Sequence, residues 1–70
     1  MERVEHSLLA NLHEEKEAIK DYTRAARTAK KAGNRAAARM FTSIAKDEKE
    51  HLVRLNKMLR RVEKAEGNKS

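Results

Sequence analysis

Apolar side chains in this chain recur every three or four residues along two long stretches. That spacing lays them on one face of an α-helix that turns 100° per residue. In the first stretch Val4, Leu8, Leu12, Ile19, Tyr22, Ala26 and Ala29 form one stripe; in the second, Ala37, Phe41, Ile44, Leu52, Leu55, Leu59 and Val62 form another. Between them stands Lys30-Lys31-Ala32-Gly33-Asn34. Lysines suit the negative end of a helix dipole, and glycine suits the left-handed residue that ends a helix. Asparagine then accepts from the free amides that begin the next helix. The pattern predicts a first helix over residues 3–31, a turn at 32–34 and a second helix over 35–65. The fold class is therefore all-α: one antiparallel helical hairpin over residues 1–66, with a frayed tail at 67–70.

Ionisable groups interrupt both stripes. Glu15 fills the step between Leu12 and Ile19, and the second stripe passes through Glu48 and His51. With the chain reversing at Gly33, Glu15 lies 18 residues before the turn and His51 lies 18 after it, about 27 Å along each helix. Glu48 sits one helical turn nearer the reversal. The hairpin thus carries three ionisable groups to one layer, where its interior should be driest. An unpartnered buried carboxylate costs several kcal/mol, and two in one layer repel each other. A cation relieves both problems. The i, i+3 spacing of Glu48 and His51 places carboxylate and imidazole on one helix face, able to hold the same ion. The simpler account is a polar layer that sets helix register through hydrogen bonds, as buried polar residues do in coiled coils. Three coplanar ligand-type residues exceed what register requires.

Composition narrows the setting. Seventy residues with 40% charged and 39% hydrophobic positions make one small domain and exclude a multidomain enzyme or a sheet fold around a large pocket. The absence of cysteine rules out disulfides and thiolate zinc sites. No apolar run approaches a membrane span or a secretory leader, so the expected location is cytoplasmic, with no membrane partner. The net charge of +6 is unevenly placed: no acid lies between Asp21 and Asp47, where Arg24, Arg27, Lys30, Lys31, Arg35, Arg39 and Lys46 fall. Without interleaved aromatics for base stacking, this basic region reads as solvated surface, and nucleic acid is not expected as a partner.

A lone hairpin leaves half its apolar stripe uncovered. Pairing into a four-helix homodimer, or a larger ring of dimers, is the natural remedy. Two copies would gather four glutamates and two histidines around one axis, the ligand set of carboxylate-bridged di-iron bundles. Mainly oxygen donors with some imidazole suit Fe(II) or Mn(II), with zinc as a further occupant.

The segments Glu15-Lys16-Glu17-Ala18-Ile19-Lys20-Asp21-Tyr22 and Ile44-Ala45-Lys46-Asp47-Glu48-Lys49-Glu50-His51 carry a family resemblance. With their separation and short turn, they resemble the ferritin-like superfamily, in its rubrerythrin and encapsulated-ferritin branch, over roughly residues 8–60. The resemblance implies a ferroxidase-type centre of two irons per dimer, with Glu15, Glu48 and His51 as metal ligands and Tyr22 beside them. Glu14 and Glu17 match acidic positions that line a route for incoming iron in encapsulated ferritins. An encapsulating shell protein, and a place inside a protein nanocompartment, are implied as well. The chain departs from the family in having two helices where a complete subunit has four. It also has Asp21 where encapsulated ferritins carry an aromatic before the tyrosine.

On residue grounds, Tyr22 is a core side chain whose hydroxyl reaches Glu48. Glu14, Glu17 and Glu50 are solvated helix face. His6 and His13, about 160–180° from Glu15 around the helix, are exposed. The expected function is a di-iron carboxylate protein that oxidises Fe(II) with oxygen or peroxide. The alternative is a non-catalytic helical dimer or adaptor, associated with nucleic acid through the basic turn.

Overall fold

The computed structural model describes residues 2–69, with side chains described for 4–65. It is a two-helix hairpin: α1 spans Glu2–Lys31 and α2 spans Arg35–Lys69. The molecule measures 56 × 14 × 11 Å with a radius of gyration of 16.2 Å, against about 11 Å for a compact chain of this length. The two helices therefore touch along their length and nothing else covers them.

The turn forms for local reasons. Gly33 takes a φ of 78°, the left-handed conformation that costs a residue with a Cβ about 1–2 kcal/mol. From there the Asn34 amide donates to the Ala29 carbonyl at 2.9 Å and the Gly33 amide to the Lys30 carbonyl at 3.0 Å. This pair of bonds is the Schellman closure of a helix C-terminus. The Asn34 side chain then accepts from the Ala37 amide at 3.0 Å, the N-cap of α2. A Cβ built on Gly33 would meet nothing within 4 Å, so backbone conformation alone demands glycine there.

Helix α2 continues to Lys69, four residues beyond the expected end at 65. The segment 66–69 is helical rather than frayed, while Ser70 lies outside the described residues. Gly67 lowers helix propensity by only about 1 kcal/mol, and a glycine stops a helix only where it turns left-handed.

The core is thin. Among the described residues the buried apolar side chains are Leu12, Ala45 and Val62, and no side chain falls below 2% exposure. Leu12 and Val62 come from the expected stripes. Ala45 does not: it lies on the flank of the second stripe, where a single methyl needs little cover. Val4, a stripe residue, stays 48% exposed, because at the open end of the hairpin α2 alone is available to cover it. Leu9, Met40, Val53 and Met58 are also exposed. A hairpin with so little interior buries only a small part of its apolar surface by itself.

Candidate metal centre

Midway along the hairpin the two helices bring Glu15, Glu48 and His51 together. Each offers one ligand atom, and the three atoms lie within 4.8 Å of one another. The imidazole Nδ1 of His51 stands 3.7 Å from Glu15 Oε2 and 3.7 Å from Glu48 Oε1. The equal chain lengths from Gly33 produce this meeting, and the i, i+3 step sets the two α2 ligands on one side. The carboxylates are four-fifths covered, while His51 is 51% exposed. Sequence reasoning placed His51 in the driest layer. It lies instead on the flank of the stripe, at the edge of the hairpin, where only a second body would enclose it.

The electrostatics of the layer are unsatisfied. Glu15 Oε2 is buried and has no hydrogen-bond partner. Its pKa is raised above the ordinary 4.5. The main cause is hydrogen bonding to Glu48, which requires a proton between the two carboxyls. Burial comes next, then repulsion from the Glu48 charge; His51 opposes the shift and Glu14 adds a little to it. As two bare carboxylates the pair has no donor to share, which is why Oε2 is orphaned. The His51 nitrogen, at 3.7 Å, is too distant to donate a good hydrogen bond.

A cation fits this donor set. Oxygen and nitrogen donors held about 2.0–2.2 Å from one ion stand about 3 Å apart at right angles and about 4 Å apart when opposed. The observed spacing needs only small side-chain shifts to reach that range. Glu15, Glu48 and His51 are thus the residues that would hold a metal, His51 through Nδ1. Three side chains do not close a coordination shell, and the exposed edge of the layer is where further ligands would enter.

The remaining predicted residues fall elsewhere. Tyr22 is half-buried and packs its ring against Phe41, with centroids 6.3 Å apart and planes tilted by 30°. Its hydroxyl makes no hydrogen bond to Glu48, contrary to expectation. Tyr22 lies 11 residues before the turn, between Phe41 at 8 and Glu48 at 15 after it, and the nearer aromatic takes the ring. The stripe pattern alone does not pair these two rings. Glu14, Glu17 and Glu50 are exposed, as are His6 and His13. Glu17 pairs with Lys20 at 3.6 Å. Among the described residues no helix is long and apolar enough to cross a membrane.

Comparison with known proteins gives one match. No curated protein matches the chain, and no solved structure does. A family model described as Rubrerythrin matches residues 7–70, which takes in most of α1, the turn, all of α2 and the three residues of the layer. Iron binding is typical of that family, in keeping with the carboxylate-rich donor set. With nearly its whole length matched, this helical hairpin belongs to the rubrerythrin family.

Proposed function

We propose that two copies of the hairpin pair into a four-helix bundle and oxidise Fe(II) at a centre shared between them. The observation that carries this reading is the convergence of Glu15, Glu48 and His51 around an orphaned carboxylate oxygen on an open edge. A homodimer supplies what one hairpin lacks: it covers the exposed half of His51 and doubles the ligand set. Two ferrous ions held close together can deliver two electrons to one oxygen or peroxide molecule.

The chain's own residues have distinct roles in this scheme. Glu15 and Glu48 neutralise cationic charge, and carboxylates favour the more highly charged ferric product. His51 supplies the neutral donor and shields one side of each ion from water. Tyr22, held by Phe41, walls the layer on its turn side. Glu14 and Glu17 form an acidic approach for incoming iron. Manganese or zinc would compete for the same donors. A larger ring of dimers, an enclosing shell protein and a cytoplasmic or nanocompartment setting extend the same reading, on the strength of the family resemblance alone.

The test is Fe(II) oxidation under air, followed by ferric absorbance. The reading expects a phase faster than buffer that saturates near two irons per dimer and is lost in His51→Ala. Tyr22→Phe should retain the stoichiometry with a modest change of rate. A wild-type rate equal to buffer, with iron demonstrably bound, would leave a metal-binding bundle and remove the enzyme. A protein that binds no iron at all would favour the non-catalytic dimer or adaptor.

A further inference from the structure

The charge of this protein is segregated by height along the hairpin. Residues 22–46, the turn-side half, hold seven of the 17 lysines and arginines and none of the 11 aspartates and glutamates. Outside that segment ten cations face eleven acids, so the segment carries +7 and the rest of the chain −1, for the net +6. Arg24, Arg27, Lys30, Lys31, Arg35 and Arg39 are all exposed. Among the described residues, none of these six takes part in an ion pair.

Two features make the tip more than a solvated run. Helix α2 has no acidic residue in its first turn; it begins with Arg35, a cation at the positive end of the helix dipole, where local stability favours an acid. Sites that break a local rule in this way are expected to be functional or strained. The second feature is shape. Lys30, Arg35 and Arg39 line an open notch of about 520 Å³ over Gly33, whose missing side chain leaves it clear.

The type of cation and the scarcity of apolar anchors identify the partner. Four of the six are arginines, whose planar forks match phosphate oxygens in pairs. A protein interface draws on a cluster of aromatic or large aliphatic anchors beside its arginines; here Tyr22 and Phe41, the only aromatics in the chain, pack on each other, and Met40 is the single large apolar side chain exposed in the segment. We infer that the tip of the hairpin binds the phosphate backbone of duplex nucleic acid, without reading its sequence. At 100° per residue Arg24, Arg27 and Lys31 share one face of α1, and Arg35 and Arg39 share one face of α2. Where the structure brings the two helices' cations together is the notch of Lys30, Arg35 and Arg39; one strand of backbone crossing it meets about three cations, which sets the salt dependence at a slope of about −2.7 in log K against log salt. This surface is separate from the metal layer and does not depend on it.

The experiment measures fluorescence anisotropy of a labelled 30-base-pair duplex against the full chain from 50 to 300 mM salt. One variant replaces Arg27, Lys30, Lys31, Arg35 and Arg39 with Gln; a second replaces Arg54, Lys57, Arg60, Arg61 and Lys64, all exposed and all beyond the mid-hairpin layer on the side away from the turn. Both lose the same charge. The tip variant should bind about 30-fold or more weakly at 50 mM salt with its slope near zero, while the other stays within about threefold of wild type. Circular dichroism and metal binding unchanged in both variants show that the fold persists. Equal losses in the two variants would mean that net charge alone is at work and would overturn the inference, as would no binding by the wild type at 50 mM salt. Displacement of the duplex by polyglutamate at equal charge concentration would assign the tip to an acidic protein instead, and likewise overturn it.

Discussion

The turn and the mid-hairpin layer are both polar, but their polar groups are treated in opposite ways. At the turn, each amide or carbonyl the closure uses finds its partner within six residues: Gly33 on Lys30, Asn34 on Ala29, Ala37 on Asn34. In the layer, Glu15 and Glu48 come from different helices, share no donor and leave Glu15 Oε2 without a partner. The turn is complete in itself. The layer is not, and an unsatisfied buried group in a native fold calls for an explanation, which the proposed centre supplies.

The sharpest way to break that contrast is to make the layer apolar. Glu48→Leu, or Glu15→Leu, should lower metal affinity by more than about 100-fold, since loss of even an outer-shell partner costs 10–100-fold. Stability without metal should hold or rise, by up to about 4 kcal/mol, because a repelling, desolvated pair is gone. Calorimetric titration with Zn(II) and thermal melts read the two effects separately. Collapse of the metal-free protein with metal affinity intact would show the layer to be a register device.

A second measurement completes the layer from outside. Zn(II), or anaerobic Fe(II), at 100 times its dissociation constant should stabilise the folded assembly by about 2.7 kcal/mol. The melting temperature should rise, and sedimentation should shift from hairpin toward dimer or a larger species. A monomer across the micromolar range, with or without metal, would sink the shared centre.

Protons offer a smaller version of the same completion. The raised pKa of Glu15 means that the fold holds a proton at pH values where the unfolded chain has released it. The favourable contribution is therefore fully present below the ordinary value of 4.5 and is lost as pH rises through the raised one. Metal-free melts should show this fall in stability with rising pH, and Glu15→Gln should flatten it. Metal binding should run the other way, weakening on acidification as the ligands take up protons. An identical pH profile for the wild type and Glu15→Gln would remove Glu15 from the account.

The smallest effects belong to the turn. Gly33→Ala should cost about 1–2 kcal/mol through its φ alone, and Asn34→Ala about 1 kcal/mol through the lost cap. Both should leave metal affinity unchanged, because the layer sits about 27 Å away along each helix. A turn variant that altered metal binding would show that the two regions are coupled through helix register.

The sequence alone determined what depends on short range and on helical repeat. Stripe spacing and Gly33-Asn34 specify two helices and their reversal, since capping and periodicity are local. Equal spans from Gly33 to Glu15 and to His51 place a carboxylate and an imidazole at one height, because rise per residue is constant. Tertiary packing decided what depends on how two helices lean on each other. It left His51 half-exposed, turned Tyr22 onto Phe41 instead of Glu48 and buried Ala45 outside the expected stripe. It also set the separations of 3.7 Å that leave room for an ion. Such details rest on the rotation of each helix about its own axis and on the distance between the axes. Those two quantities come from the sum of many weak side-chain contacts across the seam, which no single residue or spacing along the chain encodes.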